Sequence, residues 1–165
     1  MTRDEALEFL RAHQPMPADE TLDRETIDAY DEARKLFRAD PDPECVPLFL
    51  NSFGEGSGFG IYQVVDEVIA KHPPSTVVPA LLDSLTSPHP SVRHWSARIA
   101  VEFQDARLLE PLAALLADDL EDIRVAAVDA LSQLGAPEAI SAVRRHAEVE
   151  TSPEVLEAIE DALSL

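Results

Sequence analysis

The sequence predicts an all-α protein, an α-α superhelix in the form of a short α-solenoid of stacked antiparallel helix pairs. Three observations lead there. Pro47, Pro79 and Pro111 sit second in the related stretches VPLFLNSF, VPALLDSL and EPLAALLA, 32 residues apart each time. Proline is tolerated in the first turn of a helix, where its missing N–H has no intrahelical partner, so each marks a helix start. A second register, repeating every 31 residues, runs through Ile61, Val92 and Ile123. Each repeat therefore holds two helices. The composition agrees: 45% of residues are hydrophobic, only 5% are aromatic, and glycine is scarce outside one cluster, which favours helix.

The segments follow in order as a single domain over residues 1–165. Residues 1–43 read as an N-terminal helical cap. There TRDE offers a capping box from Thr2 to Glu5, opening a helix to about His13. Leu22 to Arg38 forms a second helix with Ile27, Tyr30, Ala33 and Phe37 inward. Residues 44–75 are a divergent repeat, whose second helix would begin at Ile61 with Val65, Val68 and Ile69 on its buried side. Residues 76–107 and 108–139 are the regular repeats. Their second helices bury Val92, Ser96, Ile99, Ala100 and Phe103, then Ile123, Ala127, Ala130, Leu131 and Leu134, at helical spacing. Residues 140–165 are a C-terminal capping repeat, a helix from Pro137 to Val149 and then SPEVLEAIEDALSL, with Glu154, Glu157 and Glu160 on its solvated side. A helix pair cannot bury its apolar face alone, so such pairs stack.

The formal net charge of −19 limits the partners. So acidic a surface repels nucleic-acid phosphates and anionic membranes and attracts a basic protein. Residues 76–107 are neutral, while each of the other segments is acidic. The lone cysteine, Cys45, excludes an internal disulfide and fits a reducing compartment. The opening MTRDEALEFL lacks the apolar run of a signal peptide, and no segment reaches the length of a membrane helix, so a cytoplasmic location is expected.

The stretches VRHWSARIA and IRVAAVDAL, each following an acidic or proline-bearing turn (SPHPS, DDLED), resemble the HEAT-like repeat family of the phycocyanobilin-lyase type. The resemblance is good over 76–139, fair over 44–75 and 140–165, and absent over 1–43. It implies that Val92 and Ile123 are core residues. Arg93 and Arg124 would lie between repeats, bonding acidic groups or helix-end carbonyls of a neighbour. It also implies a curved solenoid whose concave face, lined by the second helices, binds another macromolecule. The first repeat departs from the family in having Tyr62 at the arginine position and a glycine-rich loop in place of the short turn.

That loop, FGEGSGFG, holds Gly54, Gly56, Gly58 and Gly60, four of the chain's five glycines. A glycine-rich turn before a helix is the recipe for a phosphate cradle. Here a helix rather than a strand precedes it, and no kinase or dinucleotide-fold motif accompanies it. Two other readings stand beside the cradle: a flexible inter-helix loop, or a partner-contacting loop carrying Phe53 and Phe59. On the second helices two ridges can be drawn, Gln63, His94 and Val125, then Glu67, Arg98 and Asp129. Trp95 lies beside them, either as an exposed anchor flanked by His94 and Arg98 or as filling between repeats.

The candidate partner-binding residues are therefore Glu55, Phe59, Gln63, Glu67, His94, Trp95, Arg98 and Asp129. The five histidines carry no metal spacing, Cys45 lies beside acidic Asp42 and Glu44, which oppose a reactive thiol, and no serine–histidine–acid set can be picked out. No catalytic residue, metal or cofactor is expected. The leading reading is a non-enzymatic, bacterial-type scaffold that binds a basic protein partner through its second-helix face and the Gly54–Gly60 loop. One alternative is an immunity protein that neutralises a cationic toxin. Another, from the enzyme class, is a bilin lyase-like subunit.

Overall fold

A computed structural model describes residues 1–164; Leu165, the last residue of the fifth segment, lies outside the described residues. Among the described residues every regular element is helical, and helix pairs pack as in a short α-solenoid. The chain divides into two compact units, Met1–Trp95 and Ser96 onward.

The first unit starts as the capping residues dictate. Helix α1, Arg3–Ala12, follows the Thr2 box, with the Thr2 N–H donating to Glu5 Oε2 at 2.7 Å and the Glu5 N–H to Thr2 Oγ1 at 3.3 Å. Helix α2, Arg24–Ala39, is capped by Asp23, which accepts from the Thr26 N–H at 2.8 Å. Helix α3, Cys45–Leu50, holds Pro47 in its first turn as expected. The second helix expected from Ile61 does not form. A 3-10 turn, Gly58–Val64, and a single α-turn, α4, Asp66–Ile69, replace it. The cause is local: Phe59 (φ 52°) and Gly60 (φ 93°) are left-handed, and Tyr62 is turned inward so that its hydroxyl accepts from the Gly54 N–H at 3.1 Å.

Helix α5, Pro74–Ser84, corrects a second expectation. Pro79 lies inside it, because Pro74, already extended into by Pro73 (φ −70°, ψ 155°), takes the first helical position. The Ser75 carbonyl therefore has no Pro79 N–H to receive. Helix α6, Pro90–Ala100, follows and carries the division between the units.

In the first unit α1 packs on α2 and α3, α3 on α5, and α2 on α4 and the 3-10 turn. Its core is aromatic. Tyr30 meets Phe49 edge-on at 5.6 Å and Tyr62 at 5.9 Å, while Phe53 meets Tyr62 edge-on at 5.5 Å. Tyr30 donates to Ser52 Oγ at 2.8 Å, and Ser52 Oγ donates onward to the Phe49 carbonyl at 2.8 Å. Burial pushes the Tyr30 hydroxyl pKa upward, which keeps it a donor.

The second unit is aliphatic. After a 3-10 turn, Ala106–Leu108, helix α7, Leu109–Leu115, has Pro111 in its first turn. Helix α8, Glu121–Leu134, ends at Gly135 in the left-handed region (φ 66°), the usual way to close a helix. Helices α9, Pro137–His146, and α10, Pro153–Ser164, complete it. Helix α8 packs against α7, α9 and α10, burying Ile123, Ala127, Leu131, Leu112, Val143, Val155 and Ile159. α9 stops short of the expected Val149 because the chain turns to drive Glu150 inward. Its carboxylate accepts from Arg124 Nε at 2.8 Å, from His146 Nε2 at 2.8 Å, and from the Thr151 and Ser152 N–H groups at 2.8 Å each.

The two repeat arginines act on their own turns. Arg93 donates to the Ser87 carbonyl at 2.9 Å, and Arg124 to those of Asp118 and Asp119 at 2.9 and 3.2 Å. Arg124 also reaches the following repeat through Glu150, as the resemblance implied.

Candidate functional site

The glycine-rich loop is fastened by a residue far from it in sequence. The Asp19 carboxylate accepts from the Ser57 N–H at 2.9 Å, from Ser57 Oγ at 3.4 Å and from the Gly58 N–H at 2.9 Å. The Asp19 N–H donates back to the Glu55 carbonyl at 2.9 Å, and the Met16 N–H to that of Ser52 at 2.8 Å. Gly56 is required here on two counts: its φ is +105°, and a Cβ would stand 2.3 Å from the Asp19 carboxyl carbon. Two backbone hydrogen bonds and the Asp19 carboxylate thus tie the loop to residues 16–19. The phosphate-cradle reading is corrected, because the Ser57 and Gly58 N–H groups that would hold the anion already hold Asp19.

Beyond the clamp lies a cleft of about 660 Å³, lined by Leu22, Ile27, Ile61, Val64 and Phe59, with Arg24, Asp28 and Asp31 among its charged groups. Ile27, expected in the core, is only half-buried, as are Ile61 and Val64. Phe59 is 67% exposed and takes a left-handed φ of 52°. Arg24 pairs with Asp28 at 2.9 Å, and Asp31 with Arg34 at 2.8 Å and Lys35 Nζ at 2.5 Å. Desolvation works against ionisation of Asp31, but its bonds to Lys35 and Arg34 prevail and hold its carboxyl below the usual carboxylate range.

The predicted site residues separate. Glu55, Phe59 and Gln63 are exposed on the first unit. Glu67 is committed within the fold. It accepts from Arg38 at 2.8 Å and Arg34 at 3.4 Å, fastening α4 to α2, and the Arg38 hydrogen bond lowers its pKa. Trp95 is not the exposed anchor of the first reading. Only 8% exposed, it stacks on Phe53 at 5.7 Å and 25° and meets Tyr62 edge-on at 5.9 Å. Half-buried His94 stands edge-on to it at 5.5 Å. The filling role is the one observed, because an indole there completes the aromatic cluster. Arg98 and Asp129 lie on the second unit, and desolvation raises the Asp129 carboxyl pKa, Arg98 opposing and Asp161 adding.

Two features were missed from sequence. Asp19 lies 38 residues from Ser57 and is marked only as an acidic residue in a proline-flanked turn. Cys45 Sγ meets His72 Nε2 at 3.8 Å inside the core. Burial pushes the thiol up to about 12 and lowers the imidazole, favouring the neutral forms of both over a thiolate–imidazolium pair. Among the described residues no three His, Cys, Asp or Glu side chains converge to hold a metal, and no helix is long and apolar enough to cross a membrane.

No curated protein matches the chain as a relative. The HEAT-repeat family matches residues 78–164, from the middle of α5 to the end of α10, leaving the cleft outside the matched span. Since that match covers more than half of the 165 residues, the chain belongs to the family of HEAT repeats.

Proposed function

We propose that the protein is a non-enzymatic HEAT-repeat scaffold that binds a cationic protein, and that Phe59 and the cleft beside it make the contact. HEAT repeats suggest a protein-interaction role in general; Phe59 carries the specific reading. A phenylalanine 67% exposed on a left-handed backbone costs about 1–2 kcal/mol in backbone strain and leaves most of its ring in water. Packing within the chain does not account for that cost, whereas presentation to a partner does. The cleft beside it offers half-buried apolar side chains, and the net charge of −19 selects a basic partner,. The Glu55 and Gln63 side chains flank this surface in sequence and would form its polar rim.

The test is a pull-down with the purified protein at low and moderately high salt, beside Phe59→Ala. The wild type is expected to retain a basic protein that Phe59→Ala releases, with the melting temperatures of the two proteins nearly equal, because an exposed side chain contributes little to folding. Identical retention by both proteins refutes the Phe59 contact, and retention of acidic proteins refutes the charge argument. The acidity also favours a narrower form of the same reading, an immunity protein covering a cationic toxin. That form adds that the retained protein is active alone and inactive in the complex.

A further inference from the structure

We propose that Asp19 is the positioning residue of the Phe59 surface: its carboxylate acts as a built-in anion that fixes the loop and so holds Phe59 at the rim of the cleft. The inference rests on the reading of Phe59 as the contact. The observations behind it concern the loop itself.

Between Phe53, buried in the aromatic cluster, and Tyr62, the loop has few side chains to fix it. Gly54, Gly56, Gly58 and Gly60 contribute none, Glu55 and Phe59 point to solvent, and Ser57 is half-buried. A segment so poor in buried apolar contacts would sample many conformations. Its shape must come from backbone hydrogen bonds. Gly54 N–H is held by Tyr62 at 3.1 Å, and the Glu55 carbonyl accepts from the Asp19 N–H at 2.9 Å. Ser57 and Gly58 N–H are each held by Asp19 at 2.9 Å. Two of these bonds are to a carboxylate, which makes them stronger than neutral ones. They are made at the residues immediately before Phe59, where the chain enters its left-handed turn.

A rigid anchor binds more tightly than a mobile one, because ordering a loop on binding opposes association. On this view Asp19 touches no partner and acts only through Phe59. The glycines serve the same end, since a side chain at position 56 would occupy the space of the carboxylate, a Cβ standing 2.3 Å from its carbon.

The experiment reads the loop directly. Chymotrypsin cleaves after phenylalanine, and Phe59 is exposed, so native-state cleavage after Phe59 measures how often the backbone opens. Asp19→Asn retains the size of the side chain but loses its charge and replaces one acceptor oxygen by an amide donor. Cleavage after Phe59 is expected to rise about tenfold or more, cleavage following the population of the opened loop. Gly56→Ala attacks the same contact from the other side and should do likewise. Glu20→Gln, at the exposed neighbour of Asp19, should leave the rate unchanged. Trp95 emission, reporting on the Phe53–Tyr62 cluster, confirms that each variant is folded.

Unchanged cleavage in both Asp19→Asn and Gly56→Ala overturns the proposal, as does an equal rise in Glu20→Gln. If Asp19→Asn proves too unstable to isolate, Gly56→Ala alone decides between the same outcomes. The assay contains no partner, so its failure is distinct from failure of the Phe59 contact, which appears only as unchanged retention by Phe59→Ala.

Discussion

Replacing Glu150 by glutamine should cost the second unit about 3 kcal/mol. The side chain is 3% exposed, and its two oxygens receive every donor within reach: Arg124 Nε at 2.8 Å and Nη2 at 3.2 Å, His146 Nε2 at 2.8 Å, and the N–H groups of Thr151 and Ser152 at 2.8 Å each. A glutamine can serve one side of this set through its oxygen. Its amide then turns N–H groups toward the other side, where Arg124 Nε or the two backbone N–H groups lose their acceptor. Arg124, 16% exposed, would lose its counter-ion. Removing one partner of a buried pair costs about 3–5 kcal/mol. Arg124 keeps its bonds to the Asp118 and Asp119 carbonyls, which places the loss at the lower end.

The pH dependence has a definite sign. The hydrogen bond from Arg124, with those from Ser152, His146 and Thr151, holds the Glu150 carboxyl far below the usual carboxylate range. A depressed folded-state pKa gives stability that is complete above the unfolded value of about 4.3 and is lost as pH falls through the folded one. Urea unfolding followed by helical circular dichroism should therefore show a constant gap between wild type and Glu150→Gln from neutral pH to about 5, narrowing below about 4. Acidification also relieves the repulsion of the other carboxylates, but it does so in both proteins. A gap below about 1 kcal/mol at neutral pH, too small for a lost buried pair, or one that persists undiminished in acid, would refute the reasoning.

Trp95→Ala should destabilise the first unit by about 3–5 kcal/mol, because the ring is buried against Phe53 and Tyr62; a loss under about 1 kcal/mol in urea would show the stack to be dispensable. Cys45, wholly buried with its thiol pushed up to about 12, should react with a disulfide reagent at mildly alkaline pH only as fast as the protein unfolds. A rapid stoichiometric reaction of the native protein would contradict that.

The repeat was legible because its signal is periodic and local. The spacing of Ile123, Ala127, Leu131 and Leu134 gives α8 directly, and Thr2 and Glu5 mark the start of α1 through their own backbone chemistry. Pro79 shows the limit of that logic, since proline at equal spacing does not occupy equal places when another, Pro74, precedes it. Ile61 shows another: it carries the expected register, but the left-handed residues just before it and the inward turn of Tyr62 decide the backbone. The candidate site was half legible. Phe59 and Glu55 lie exposed as the loop reading implied, whereas Phe53, carried by the same reading, is buried in the aromatic cluster. Trp95 stayed open between anchor and filling because its face is chosen by Phe53, a neighbour 42 residues away in sequence that helix periodicity does not register. Asp19 was unreadable for the same reason, its partners lying 38 and 39 residues onward.

The arginines at 93 and 124 have a consequence for how such a chain can grow. Each ties down carbonyls of the turn that begins six residues before it, so the instruction for closing that bend travels with the residues that form it. A tandem copying event that duplicates about one period would carry the lock and its keyhole together. Leu156 fills the matching position in α10, so that helix carries no such lock.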